Sequence, residues 1–219
     1  MGFTAIIPGQ QIPDKNDLEA WDHKLSSTIG DYLENKFKGE TSRSRERRLR
    51  EGWFEKYCPE DKIGLDIGSS EDPVNKTFRR FDQTFYDGDS QYMEGYPADT
   101  YWTVYASHVL EHMKYPVLAV KRWFELVRPG GYLFLAVPHR DLYEKRKTLP
   151  SQWNDDHKYF WLPETEDPPC TKSFKHTILE AIPNANIVYF KIQMEGYNPD
   201  VSPDQHAVGE YSIEAVIKK

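Results

Sequence analysis

Cysteine is scarce. Cys58 and Cys170 are the only two in 219 residues, too few for a disulfide framework or a four-thiolate zinc site. Long apolar runs are missing too, and nothing approaches the about 18 residues that a membrane-spanning helix needs. Basic charge is outweighed, with 28 Lys and Arg against 35 Asp and Glu and a formal net charge of −7. Such a chain gains little from releasing counterions off a nucleic-acid backbone, so general DNA or RNA binding is disfavoured. Met1 to Gln11 lacks a basic start and a long apolar core, and so does not read as a secretory signal. Ile6 stands where a myristoylation site after Gly2 needs Ser or Thr. These absences describe a soluble cytoplasmic protein with no membrane partner, and the length suits one two-sided core. Aromatic residues, in contrast, are plentiful: 6 Trp, 14 Tyr and 11 Phe.

The chain has no internal repeat and two textures. Residues 1–60 are polar and helix-like, an N-terminal helical extension or cap. Within them Leu18, Trp21, Leu25, Ile29, Tyr32 and Leu33 fall on one helical face. A second helical segment runs from Thr41 to Tyr57 and carries five arginines between Arg43 and Arg50. It reads as a solvated face, with Glu46 and Glu51 beside the arginines and Leu49, Trp53 and Phe54 turned inward. The competing reading is contact with a negatively charged substrate group.

Over residues 61–219 short apolar strands alternate with helices. The pattern predicts strands at 62–67, 78–81, 100–106 and 132–137, and helices at 117–127 and 174–182. Two strands without an intervening helix, 187–194 and 211–217, close the chain. Repeated β–α units imply an α/β fold, a mostly parallel sheet with helices on both faces and an antiparallel finish. In such a sheet ligands bind beyond the carboxyl ends of the strands. The first of these loops is Asp66-Ile-Gly-Ser-Ser-Glu-Asp-Pro73. Its single glycine permits a tight turn but does not make the G-x-G-x-x-G cradle of a dinucleotide. Asp82 stands at the next strand end, suited to holding ribose hydroxyls, and Asp89 and Ser90 follow in a turn.

The most specific motifs are Ser107-His-Val-Leu-Glu-His112 after a strand and Arg128-Pro-Gly-Gly131 before the most apolar strand. With the Asp66 loop they resemble the class I S-adenosylmethionine-dependent methyltransferases, in particular the small-molecule, type 11-like branch. The resemblance covers about residues 60–145. It implies a Rossmann-like sheet of seven strands with the last antiparallel, S-adenosylmethionine as cofactor, and a methyltransferase domain over 61–219. It further implies that Asp66, Gly68 and Ser69 meet the methionine end of the cofactor. Asp82 would take its ribose, Asp89 and Ser90 its adenine, and Ser107 would lie beside it. The chain departs from the branch at Ser70 and Asp72, where glycines are frequent, and at Trp102, where Asp is frequent. Ser70 and Asp72 motivate a competing reading, a non-catalytic methyltransferase-like interaction module.

Methyl transfer to a hydroxyl needs a base, and histidine suits neutral pH. The candidates are His108, His139 and His157. The stretch 139–170, rich in aromatic and cationic residues, reads as a substrate loop for a polar small-molecule acceptor. By resemblance that acceptor is a sugar or nucleotide-linked sugar in carbohydrate or secondary-metabolite biosynthesis. The same composition suits a homodimer surface. A metal-assisted reading uses His108, Glu111 and His112, since i and i+4 share a helical face. Spacing names no third histidine or acid beyond these, so no metal is assigned.

Overall fold

The computed structural model describes residues 40–70, 72–82 and 87–219, all within one compact unit, Phe37–Lys219. The helix expected around residues 18–33 lies outside the described residues. Helices α1 (Glu40–Arg50) and α2 (Trp53–Tyr57) precede strands β1 (Gly64–Ile67), β2 (Arg79–Phe81) and β3 (Tyr101–Ser107). Helix α3 (Pro116–Leu126) leads into β4 (Val127–Pro138), and β5 (Phe160–Leu162), β6 (Thr171–Ser173) and α4 (Phe174–Ala181) follow. Strands β7 (Asn186–Ile192) and β8 (Ser212–Lys218) end the chain.

The central sheet has the order β2-β1-β3-β4-β8-β7. Strands β2, β1, β3 and β4 are parallel, whereas β8 runs antiparallel to both β4 and β7. From β1 the chain goes outward to β2 and returns to β3 on the other side, which puts the topological switch between the carboxyl ends of β1 and β3. The central sheet has six strands among the described residues where seven were expected. Between β2 and β3, residues 87–100 run as turns, with Gly88, Met93, Gly95 and Asp99 at positive φ. Extended backbone does not accommodate that conformation, so no strand forms there.

The inner strands are shielded on both faces, whereas the edge strand β7 is largely exposed. All four residues of β1 are buried, as is nearly all of β3 and the second half of β4. Helix α3 starts with Pro116 at its first turn, where the missing N–H is harmless. It buries Ala119, Val120, Trp123 and Leu126, one helical stripe, against one sheet face. The other face packs under α1 and α2, through Trp53, Tyr57, Tyr105 and Phe134.

Helix α1 corrects the expected orientation. Leu49 is half exposed, whereas Arg47 and Arg48 are buried. The reason lies in β8, where Glu214 is fully buried on the face that α1 covers. A carboxylate removed from water needs a cation, so the helix turns its arginines inward. Arg48 Nη2 and Arg47 Nη2 reach Glu214 Oε1 at 2.6 and 2.7 Å, and the Arg48 guanidinium lies over the Phe134 ring at 4.8 Å.

The expected substrate loop is more structured than a loop. A single helical turn, Arg140–Glu144, follows β4, and β5 and β6 pair as a second small sheet. Phe160 and Trp161 are core residues, not displayed aromatics. Arg140 is held by Asp141 and Asp167, and Lys145 by the carbonyls of Val201, Ser202 and Gln205. Among the described residues, no helix is long and apolar enough to cross a membrane.

Candidate active site

The loop after β1 is built around Gly68, which has φ +71. A Cβ there would lie 2.2 Å from Val109 Cγ2, so the turn beyond β3 packs against a position only glycine can fill. Gly68 N–H donates to the Phe81 carbonyl at 2.7 Å, tying the ends of β1 and β2 together. Ser70 N–H donates to Asp82 Oδ2 at 2.9 Å, and Arg80 Nε to Ser69 Oγ at 3.1 Å. The loop from Gly68 to Ser70 is therefore tied to the β2 end that carries Asp82. Asp66 is buried and accepts the Val74 N–H at 2.7 Å; burial pushes its carboxyl up to about 8. Asp89 accepts the Gln91 N–H at 2.8 Å within its own turn, whereas Ser90 is anchored to the segment beyond β3. The Ser90 hydroxyl approaches Met113 Sδ at 3.7 Å, and Trp123 Nε1 donates to the Ser90 carbonyl at 2.7 Å. Ser107 ends β3 at the switch point, paired with Ala136 of β4.

Ser70 occupies a position where glycine is frequent in the resembling branch, yet it adopts φ +42, the left-handed conformation glycine favours. A non-glycine residue there carries about 1–2 kcal/mol of strain. Ser70→Gly is therefore expected to raise stability by up to about 1 kcal/mol, part of the gain being lost to the freer unfolded chain. Ser70→Val should lower it. Urea unfolding of both variants checks the sign.

Beyond β3 the chain turns at His108, whose φ is +57, and Leu110–His112 form one 3-10 turn. His108 and His112 therefore do not share a helical face, and the expected His108–Glu111–His112 ligand set does not form as spacing suggested. The His108 ring instead faces inward, its side chain 14% exposed. His108 Nε2 pairs with Ser212 Oγ at 2.9 Å, and Nδ1 stands 3.6 Å from Glu111 Oε1. Burial pushes His108 down to about 4 and Glu111 up to about 7.

His157 arrives on the other side of Glu111, with Nε2 at 3.9 Å from Oε1. Its Nδ1 is 2.6 Å from Glu144 Oε1, and Ser151 Oγ donates to Glu144 Oε2 at 2.7 Å. Burial alone would lower His157, but Glu144 and Glu111 outweigh it and hold the imidazole above its ordinary value. His112 pairs with Asp156 through Nδ1 at 3.1 Å, and its ring meets that of His157 edge to face at 4.9 Å. Tyr143 and Tyr211 wall the cluster, and the Tyr211 hydroxyl donates to Glu40.

The structure thus brings His108 and His157 together around Glu111 and leaves His139 out. Its Nδ1 accepts the Asp141 N–H at 3.2 Å, its backbone bridges to Trp161, and burial lowers its pKa. Glu144, Ser151, Asp156 and Ser212 escaped the sequence reading. They are ordinary polar residues in loops or at a strand start, and only the fold carries them to the histidines.

A doubly wound sheet with an acid-and-glycine loop at its switch point and an acid at the neighbouring strand end is the arrangement in which α/β proteins take a nucleoside-containing cofactor. Residues 40–167, more than half of the chain, match the model of a methyltransferase domain family, and the chain belongs to that family. It is an S-adenosylmethionine-dependent methyltransferase. None of the curated proteins compared with it matches the sequence. Among solved structures it resembles one from work on conversion of a disulfide bond into a thioacetal group during echinomycin biosynthesis. That match has 10% identity over 80% of each chain and a TM-score of 0.52. A chain in the complex of the Haloferax volcanii Trm112 methyltransferase activator with a methyltransferase matches at 10% identity, over 95% of this chain and 97% of that one, with TM-score 0.51. An Archaeoglobus fulgidus S-adenosylmethionine-dependent methyltransferase matches at 14% identity, over 86% and 98%, with TM-score 0.48.

Proposed function

We propose that the acceptor is a hydroxyl of a polar small molecule, a sugar or nucleotide-linked sugar, and that His108 removes its proton. The observation that carries this reading is the inward-turned His108 at the switch point. Its ring nitrogens lie between Ser212 and Glu111 rather than in solvent. The acid at the β2 end suits two ribose hydroxyls, and the buried Asp66 carboxyl, pushed up to about 8, offers a hydrogen bond rather than a charge. In this reading Asp66, Gly68 and Ser69 border the methionine end, Asp82 holds the ribose, Asp89 and Ser90 the adenine, and Ser107 lies beside the cofactor.

S-adenosylmethionine supplies a methyl group on a positively charged sulfur, a leaving group that needs no further activation. What remains for the chain is to hold the acceptor oxygen in line with that methyl, worth about 7–11 kcal/mol by orientation alone. His108 takes the hydroxyl proton as the oxygen acquires the methyl, and Ser212 holds the ring in place. The tyrosine walls, Tyr143 and Tyr211, are buried against each other and exclude water from the cluster.

Screening with methyl-labelled cofactor against sugars and nucleotide sugars tests the acceptor class. The expected outcome is label in an O-methyl product. Transfer only to nitrogen or sulfur acceptors would refute it.

A further inference from the structure

The Glu111 side chain is fully buried, and neither of its carboxylate oxygens has a hydrogen-bond partner among the described residues. A desolvated carboxyl without partners is strongly unfavourable, and in a native protein it marks a catalytic role, a water or an ion. Its surroundings are imidazoles. One donor atom each from Glu111, His112 and His157 lie within 4.8 Å of one another.

Both histidines have their outer nitrogen engaged. His157 Nδ1 is bound to Glu144, itself held by Ser151, and His112 Nδ1 is bound to Asp156. A carboxylate on Nδ1 selects the tautomer whose Nε2 lone pair is free, which is how metal-binding imidazoles are oriented. Each histidine thus has a carboxylate behind it and Nε2 left for a ligand bond.

We propose that Glu111, His112 and His157 form a site for one divalent transition-metal ion, oriented by Glu144, Ser151 and Asp156. Two imidazoles and a carboxylate suit Zn²⁺, Co²⁺, Mn²⁺ or Fe²⁺; Mg²⁺ and Ca²⁺ take oxygen ligands. The ligands come from the turn after β3 and from the segment before β5, so the ion would pin that segment onto the switch point. Three protein ligands leave a position open for an oxygen of the acceptor. That use rests on the methyl-transfer reading above, whereas ion binding does not.

The test is titration of chelator-stripped full-length protein with Co²⁺, followed by visible absorption and calorimetry. One equivalent is expected to bind. Glu111→Gln and His157→Asn should each weaken binding by more than about tenfold, and Glu144→Gln by about tenfold or more. His176→Ala, at an exposed histidine elsewhere, should leave binding unchanged. Thermal unfolding keeps the result interpretable: metal-free Glu111→Gln should melt no lower than the parent, since it removes an unpartnered carboxyl, and Co²⁺ should raise the melting temperature of the parent only. No Co²⁺ binding, or binding indifferent to Glu111→Gln and His157→Asn, overturns the site. S-adenosylhomocysteine calorimetry on the same samples separates the two readings. Cofactor-product binding without metal binding sinks the metal site alone, and metal binding without cofactor-product binding sinks the methyl-transfer reading alone.

Discussion

Glu214→Gln is expected to destabilise the protein by about 3–5 kcal/mol, the cost of removing one partner of a buried ion pair. Folded domains hold only about 5–15 kcal/mol in total, so this one change removes a large share. The cause is what it strands. Arg48 is fully buried, and without the carboxylate its hydrogen-bonding partner is the Tyr105 hydroxyl, at 2.6 Å. Arg47 retains Glu210 at 2.8 Å and Glu51 at 3.2 Å, and Gln193 loses an acceptor at 2.9 Å. Burial by itself would raise the Glu214 carboxyl, but Arg48 and Arg47 outweigh it and hold the group below the ordinary glutamate range. The stabilisation is therefore complete above the unfolded carboxyl's pKa and is lost as pH falls through the folded one. Urea unfolding at neutral pH measures the loss. Arg48→Met with Glu214→Leu should recover most of it, since a buried pair and an apolar replacement are often equivalent. Arg50→Ala serves as the control: its partner Glu195 is half exposed, at 49%, and no change is expected. A Glu214→Gln protein as stable as the parent would show that α1 is not held by this pair.

His108→Asn is expected to lower kcat by about 10²–10⁴-fold, the usual worth of a general base, with S-adenosylhomocysteine affinity unchanged. Asparagine is the substitution to choose because residue 108 has φ +57, a conformation Asn tolerates better than other non-glycine residues. The turn that aims the neighbouring Glu111 and His112 then survives, so a loss of turnover reports on the imidazole. His139→Asn should retain most activity, because the His139 ring is occupied by the Asp141 N–H and stands outside the cluster. Single-turnover assays with the acceptor found by the labelled-cofactor screen make the comparison. Full turnover by His108→Asn would remove His108 as the base.

Where the strands and helices run was legible because each depends on a local pattern. Apolar stretches bounded by turn residues became β1, β3 and β4, and the amphipathic run before Arg128-Pro-Gly-Gly131 became α3. Part of the cofactor side was legible for a related reason: a residue at a strand end lies at the sheet's carboxyl edge wherever the rest of the chain goes. Asp66, Gly68, Ser69 and Asp82 follow that rule, and hydrogen bonds from Gly68 to Phe81, from Arg80 to Ser69 and from Ser70 to Asp82 tie the β1 and β2 ends together.

The sequence by itself determined the alternation of strands and helices, the α/β class, the antiparallel finish and the strand-end positions of the acids and His108. Tertiary structure alone decided which way α1 faces, because the reason for burying Arg47 and Arg48 sits in β8, more than 160 residues away along the chain. It also decided that His157 rather than His108 completes the group with Glu111 and His112, since no helical spacing links residues from separate loops. Local patterns record which side chains avoid water. Where a buried charge finds its partner is settled only when the sheet brings distant strands and loops together.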